Sequence, residues 1–188
     1  MGTLRVISGS AKGARLKTVP GQTTRPITDQ VKEALFNILG SKIQGTTWLD
    51  LFAGTGAVGI EAISRDAEYV TFIEINHHAL TIIKENLQIT HFEAYAEVLK
   101  RDAFELIAHA PLKHYGYIYI APPQYRQMWQ KAMNLLDENP SWLAEEGEIV
   151  VQINPIEWQV QNYSNFQEIE QRKYGDTMLI FFQKINRS

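Results

Sequence analysis

The chain has 188 residues, of which 45% are hydrophobic and none is cysteine. This length and composition fit one globular domain with a sizeable core, and the lack of cysteine excludes disulfides and thiolate metal sites. No apolar run approaches the ~20 residues that span a membrane, and the first ten residues lack the apolar stretch of a signal peptide. We therefore expect a soluble cytoplasmic protein that works as a monomer.

Charge is distributed unevenly along the chain. The whole sequence carries 18 basic and 21 acidic side chains, for a net charge of −3. Residues 1–45 hold seven lysines and arginines against two acids, whereas residues 46–188 are acidic. This division is typical of a basic arm that faces its substrate from a less basic core, although ordinary solvated surface would look similar. We therefore divide the chain into a substrate-facing extension, 1–45, and a main domain, 46–188.

The first predicted elements lie in the extension. Two short alternating runs, 4–7 and 14–19, flank a glycine-containing loop and indicate a β-hairpin. Apolar side chains at helical spacing then predict an amphipathic helix over 29–39. Thr28 is a favourable N-cap for this helix, and Gly40 is a natural stop.

Strands and helices alternate from residue 46 onward. The first run, 46–53, is apolar, as expected of a strand buried on both faces of a parallel sheet. The alternation predicts a doubly wound α/β domain, and a C-terminal hairpin over 166–185 closes one edge. The other predicted strands are 69–75, 96–100, 115–121 and 147–153. One predicted helix follows the glycine-containing loop after the first strand, and the others cover 77–90, 103–109 and 128–136.

Ligands of doubly wound sheets bind outside the carboxyl ends of the strands. The loops after four predicted strands are therefore expected to carry the chemistry. These loops are 50–56, 74–76, 101–103 and 121–125.

The first of these loops is rich in glycine. Gly54, Gly56 and Gly59 fit the pattern G-x-G-x-x-G, in which glycine lets the backbone approach a ligand ahead of a helix N-terminus. Glu74 follows Gly56 by 18 residues, where a carboxylate can accept hydrogen bonds from ribose hydroxyls. The combination predicts a nucleoside-containing cofactor.

Two cofactors compete for this loop, a nicotinamide dinucleotide and S-adenosylmethionine. Asp50 lies inside the first strand, where a carboxylate favours the sulfonium and amino groups of S-adenosylmethionine and would repel a pyrophosphate. Asp102 follows the third strand and is placed to reach the adenine amino group. The competing interpretation is that both acids are ordinary strand-end or cap residues, and that Gly59 only permits close helix packing.

Several stretches of the chain resemble one family. They are RVISGSAKGARL near the start, RPITDQVKEALFNIL after it, LDLFAGTGAVGIEAISR with VTFIE in the main domain, and KYGDT near the C-terminus. All are similar to the RsmD family. Members of this family are bacterial enzymes that methylate the 2-amino group of a guanine in small-subunit ribosomal RNA. The resemblance spans nearly the whole chain and implies S-adenosylmethionine as cofactor. It also implies a class I methyltransferase fold, which is a Rossmann-like, mostly parallel seven-stranded sheet with an antiparallel last strand.

The resemblance further implies roles for individual residues. Asp50, Gly54 and Gly56 would line the methionine end of the cofactor, Glu74 the ribose, and Asp102 with Ala103 the adenine, with Ala53, Thr55 and Ile75 as further contacts. The expected partner is ribosomal RNA or the assembling small subunit, and its phosphates would meet the basic hairpin. The residues expected on the RNA side are Arg5, Lys12, Arg15, Arg25 and Thr28.

One motif departs from the family pattern. Amino-directed methyltransferases carry [D/N]-P-P-[Y/F] after strand four, where this chain has Ala121-Pro122-Pro123-Gln124-Tyr125. The motif's acid and a nearby carbonyl hold the N–H groups of the amine, and its aromatic ring stacks on the flipped base. In this catalytic loop a carbonyl near Pro122 remains, Gln124 offers a substitute acceptor, and Tyr125 could stack one position late. Losing one such acceptor costs on the order of 10²–10³ in rate.

Three interpretations of Ala121 stay open. The enzyme works through rearranged contacts, or it acts on a different acceptor, or it has lost activity and binds cofactor and RNA only. A nicotinamide-dependent oxidoreductase is disfavoured by Asp50 and by Pro122-Pro123. The five histidines have no spacing typical of a metal site, so no metal is expected.

Overall fold

Seven strands form one sheet in the computed structural model, which describes residues 4–19, 27–124 and 127–186. The strands are β1 (Thr47–Asp50), β2 (Tyr69–Glu74), β3 (Ala96–Lys100), β4 (Tyr115–Ile120), β5 (Leu143–Ile153), β6 (Phe166–Tyr174) and β7 (Thr177–Lys184). Their order across the sheet is β3-β2-β1-β4-β5-β7-β6. The first five strands are parallel, and β7 runs antiparallel to both of its neighbours. The predicted mostly parallel sheet with an antiparallel last strand is confirmed.

Helices cover both faces of this sheet. Trp48 of β1 packs into the core on one face, and its neighbour Leu49 packs into the core on the other. Strands buried in this way on both sides have continuous apolar sequences, as predicted for 46–53. Among the described residues no helix is both long and apolar enough to cross a bilayer. The helices are α1 (Asp29–Leu39), α2 (Ala57–Ser64) and α3 (His77–Thr90) on the first face, and α4 (Ala103–Ile107) and α5 (Met128–Glu138) on the second.

Helix α1 begins and ends where its sequence predicts. The Thr28 hydroxyl accepts a hydrogen bond from the backbone N–H of Val31 at 3.3 Å, as an N-cap does. Gly40 ends the helix with a φ of +56°, a conformation that glycine adopts without steric penalty. Phe36 and Leu39 point into the core beside β1.

The N-terminal hairpin is short and is fixed to α2. One β-bridge joins Arg5 to Arg15. Gly9, at the tip, has a φ of +82°, and a Cβ atom there would lie 1.6 Å from the backbone oxygen of Ser64. That oxygen also accepts a hydrogen bond from the backbone N–H of Ser10 at 2.8 Å. The tip therefore needs glycine, because its backbone rests directly on the end of the helix.

A buried ion pair reinforces this contact. Glu61 of α2 and Lys32 of α1 are both fully buried, with 3.2 Å between Nζ and Oε2. Glu61 also accepts the backbone N–H groups of Ile7 and Ser8 at 2.8 and 2.9 Å, and Arg65 pairs with it at 2.9 Å. Burial lowers the pKa of Lys32, while the charge of Glu61 acts in the opposite direction. This network joins the extension, 1–45, to the main domain, 46–188. The separate roles assigned to these two segments stay a prediction.

Gly59 has a packing role inside α2. A Cβ atom at this position would lie 2.3 Å from the ring of Phe72 and 2.8 Å from Val70. The helix can approach β2 this closely only because the side chain is missing. The structure thus confirms close helix packing as a role for the third glycine of the pattern.

Candidate functional site

A cleft of about 290 Å³ opens at the carboxyl ends of β1 to β4. It brings together parts of all four loops that the sequence selects. Its walls combine carboxylates, aromatic rings and backbone, which is usual for sites that bind small molecules. The lining residues are Leu51, Phe52, Gly54, Ile73, Glu74, Ile75, Asn76, Arg101, Asp102, Ala103, Phe104, Ala121, Pro123 and Met128.

Glu74 holds the backbone on two sides of the cleft. Its Oε2 accepts the backbone N–H of Gly54 at 2.9 Å. Its Oε1 accepts the N–H groups of Ile75 and Asn76 at 2.9 and 2.8 Å. The carboxylate at the end of β2 therefore fixes the glycine-rich loop, and one of the four lone pairs of its oxygens, on Oε2, stays available to a ligand.

Asp50 lies behind the glycine-rich loop and is not part of the cleft lining. Its side chain is 2% exposed, and its Oδ1 has no hydrogen-bond partner among the described residues. Burial, followed by the charge of Glu74, raises the pKa of Asp50 to about 7, against the opposing effect of the backbone amides of Phe52 and Gly59. A buried carboxyl group with an unused oxygen is suited to respond to a positive charge bound nearby.

The far end of the cleft is built by the start of α4. One oxygen of Asp102 accepts the backbone N–H groups of Phe104 and Glu105 at 2.8 and 2.9 Å, which caps the helix. Ala103 is buried beside it. Phe104 meets Phe52 edge to face at 5.7 Å, so an apolar wall stands next to a carboxylate.

The glycine-rich loop makes a tight turn between β1 and α2. The backbone N–H of Gly56 donates to the carbonyl of Ala53 at 2.8 Å. Gly54 and Gly56 have φ values of +56° and +76°, which favour glycine over other residues. The carbonyl of Thr55 accepts from the side chain of Asn86 at 2.9 Å, so α3 supports the turn.

The loop after β4 meets the cleft through its first residues. Ala121 and Pro123 line the cleft, and Pro122 is half-buried between them. Gln124 is exposed and lies outside the lining. Tyr125, to which the sequence assigns base stacking, lies outside the described residues.

The residues predicted to contact RNA differ in whether their side chains already have a partner within the protein. Arg5 is paired with Asp29 at 2.9 Å, and Thr28 is engaged as the cap of α1. Lys12 and Arg15 are exposed on the hairpin. Arg25 lies outside the described residues.

Several residues of the cleft have no role in the sequence-based prediction. Phe52 and Phe104 each stand two positions after one of the predicted acids, Asp50 and Asp102, and that spacing is the signal that could have revealed them. Arg101 adds a positive charge to the rim. Within the described ranges no cluster of three or more His, Asp or Glu side chains is placed to hold a metal ion.

Comparisons with known proteins agree with this geometry. A family model described as Conserved hypothetical protein 95 matches residues 4–183. YlbH of Bacillus subtilis, named as a candidate rRNA methyltransferase, is 40% identical over 151 residues, which are 79% of this chain and 82% of that protein. Ribosomal RNA small subunit methyltransferase D of Escherichia coli is 36% identical over 151 residues, 80% of this chain and 75% of that protein.

A solved structure points to the same family. The yhhF protein of Escherichia coli superposes with a TM-score of 0.86 and 31% identity, over 97% of this chain and 98% of that chain. The hairpin, the glycine-rich loop and all but the last residue of the closing β-hairpin fall inside residues 4–183, the range that the family model matches. The chain therefore belongs to the RsmD family, that of ribosomal RNA small subunit methyltransferase D.

Proposed function

We propose that this protein transfers a methyl group from S-adenosylmethionine to the 2-amino group of a guanine in small-subunit ribosomal RNA. The observation that carries the proposal is the cleft in which Glu74, Asp102 and Ala121 stand at the ends of three parallel strands. The names of its relatives support RNA methylation as the reaction. The substrate, met in the cytoplasm, is naked RNA or an assembling subunit.

The residues of the cleft fit this cofactor. Phe52, Ile75 and Phe104 provide apolar walls for an adenine ring. The oxygen of Asp102 that does not cap α4 can accept from the adenine amino group, and Oε2 of Glu74 can accept from one ribose hydroxyl. Asp50 supplies negative charge behind the methionine end. When bound, the cofactor supplies a methyl group made electrophilic by a positively charged sulfur.

The loop after β4 orients the amine. Pro122 and Pro123 lack a backbone N–H, so the polar backbone atoms of these two residues are carbonyl oxygens, and the one near Pro122 can accept one N–H of the amine. Holding an N–H group in this way aims the nitrogen lone pair at the methyl carbon, which is catalysis by positioning and electrostatics. The surplus proton leaves to water after transfer, so no strong base is required.

The hairpin supplies affinity for RNA. Lys12 and Arg15 project into solvent from an element that is fixed to α2. Contacts to phosphates from such residues are independent of sequence and weaken as salt increases. Arg5 would first have to exchange Asp29 for a phosphate.

The proposal is tested by methyl transfer to small ribosomal subunits from cells that lack this modification. We expect label from S-adenosylmethionine to appear in the ribosomal RNA and, after digestion, in N2-methylguanosine. Calorimetry is run in parallel with S-adenosylmethionine and with NAD. Label in a different nucleoside, or tight binding of NAD alone, would contradict the proposal.

Ala121 favours a second candidate function. With no side-chain acceptor at this position, the protein could be a module that binds cofactor and ribosomal RNA without turnover. The substitution Ala121→Asp distinguishes the two candidates, since it restores the family's acceptor. Binding of cofactor and subunits without incorporation, by the wild type and by Ala121→Asp alike, would support the binding module.

The affinity for S-adenosylmethionine is expected to rise with pH. The pKa of Asp50 is about 7, and a cation bound nearby favours the ionised form and so lowers that pKa. Below neutral pH Asp50 must therefore release a proton when the cofactor binds, which weakens binding. Above neutral pH Asp50 is already ionised, and binding requires no proton release. Calorimetry from pH 6 to pH 8 measures the effect.

S-adenosylhomocysteine is the matched control for this pH dependence. It keeps the amino group and lacks the sulfonium charge, so the ratio of the two affinities isolates the effect of the sulfonium. Glu74 and Tyr119 are the ionisable neighbours of Asp50. If the ratio of the two affinities no longer changes with pH in Asp50→Asn, the change is assigned to Asp50 and not to these neighbours. An affinity for S-adenosylmethionine that does not rise between pH 6 and 8 in the wild type would contradict the prediction, whereas a constant ratio would assign the rise to the amino group that the two ligands share.

A further inference from the structure

Ala121 leaves a specific chemical gap in the loop after β4. An exocyclic amine presents N–H groups that need acceptors, and a backbone carbonyl near Pro122 can satisfy one of them. Side-chain oxygens usually hold the other. The missing acceptor must come from a residue close to Ala121, on the side of the cleft away from the cofactor.

The register of the sheet identifies the nearest polar neighbour. Tyr119 pairs with Val150, and Ile120 pairs with Val151, between the parallel strands β4 and β5. One step further, the same register sets Ala121 beside Gln152. Side chains of paired residues lie on the same face, and neighbouring strands are about 4.8 Å apart. Gln152 is therefore the side chain next to Ala121 on the adjoining strand.

Gln152 is oriented by a buried tyrosine. The hydroxyl of Tyr119 donates to Oε1 of Gln152 at 2.5 Å. Burial, and in addition the charge of Asp50, raises the pKa of Tyr119 well above its ordinary value, so this hydroxyl stays a donor. An amide oxygen has two lone pairs, and the tyrosine uses one. Gln152 itself is only half-buried, so the residue is not closed off from a ligand.

We propose that Gln152, held by Tyr119, is the side chain that accepts an N–H of the substrate amine in place of the acid missing at Ala121. The inference rests on the proposed function and identifies the residue that makes it possible. Gln152 acts on the substrate directly, and Tyr119 is a positioning residue. Gln124, the substitute that the sequence suggests, is exposed, and both glutamines lie outside the lining of the cofactor cleft. Gln152 is preferred because it lies on the strand next to Ala121 and its amide oxygen is held by Tyr119.

The order of strands supports this assignment. Across the sheet, Asp102 follows β3, Glu74 ends β2, Asp50 ends β1, Ala121 follows β4, and Gln152 is the last residue but one of β5. In the proposed function the first four positions follow the cofactor from adenine to methyl group. The next strand in the series is then where the methyl acceptor has to lie, and β5 brings Gln152 to that place.

The test compares single-turnover and steady-state transfer to small subunits by variants of the full chain. Gln152→Ala is expected to lower kcat about 100-fold, with the affinity for S-adenosylmethionine and the KM for subunits unchanged. Gln152→Glu keeps the acceptor and should retain kcat within about three-fold of the wild type. Tyr119→Phe should lower kcat about five-fold, because the side chain of Gln152 is no longer held in place. Gln171→Ala, at an exposed position on β6, is the matched control and should transfer at the wild-type rate.

Rescue separates a chemical role from a structural one. Adding Ala121→Asp to Gln152→Ala restores the acceptor from the neighbouring strand and should recover most of the lost kcat. Wild-type kcat in Gln152→Ala, a larger loss in Gln124→Ala, or no recovery in the double variant would each overturn the inference while leaving the proposed function intact. Absence of transfer by the wild type, with S-adenosylmethionine bound, would overturn the proposed function and the inference with it.

Discussion

Replacing Glu61 by alanine is expected to lower the free energy of unfolding by about 3–5 kcal/mol. The variant leaves the ammonium of Lys32 buried without its carboxylate, and the N–H groups of Ile7 and Ser8 lose their acceptors. A buried charge without a partner is among the most destabilising changes in a core. Urea unfolding followed by circular dichroism measures the loss.

The exposed pair formed by Lys17 and Glu85 is the matched control. Its charged atoms are 3.1 Å apart, but the side chains of Lys17 and Glu85 are 53% and 37% exposed. Glu85→Ala should therefore change the unfolding free energy by about 0–1 kcal/mol. Equal effects of Glu61→Ala and Glu85→Ala would show that burial of the first pair has no energetic consequence. Glu61→Leu combined with Lys32→Met should recover much of the loss, because no charge is then buried.

Replacing Glu74 by alanine is expected to weaken the binding of S-adenosylmethionine by about 100-fold. A hydrogen bond to a charged group contributes roughly 1.5–3 kcal/mol, and the variant removes the one proposed to the ribose. It also releases the N–H of Gly54, so the glycine-rich loop is no longer held in one conformation. Isothermal calorimetry at constant pH measures the affinity.

Glu105→Ala is the control for a general effect of negative charge. Glu105 is an exposed acid on α4 that does not line the cleft. Its replacement should leave the affinity within about two-fold. A folded Glu74→Ala protein that binds S-adenosylmethionine as well as the wild type would contradict the proposed cofactor site.

Elements with strong local signals could be predicted closely from the sequence. The bounds of α1 follow from Thr28 and Gly40, which determine the backbone at each end through local contacts alone. The apolar run 46–53 indicates burial on both faces, which is a property of parallel sheets. The cleft follows from the same reasoning, because loops after parallel strands meet at one edge.

Contacts between distant parts of the chain could not be predicted in this way. Glu61 and Ile7 are 54 residues apart, and the helical pattern of α2 shows nothing of a partner in the hairpin. For Asp50 the sequence indicates a carboxylate at the right strand, while its position behind the loop depends on how α2 packs. In the sequence Gln152 is one polar residue in an apolar strand, which does not indicate a role. Its place beside Ala121 follows only from the register of β4 and β5.

The position of β7 has a consequence for the order in which the protein assembles during synthesis. This strand is made after β6 but lies between β5 and β6, pairing with both. Until it leaves the ribosome, β6 has no strand to pair with and β5 presents an open edge. Such edges invite association between nascent chains. The sheet is therefore completed from its interior by the last strand to emerge, and a chain that stops before Thr177 would leave β5 and β6 unjoined.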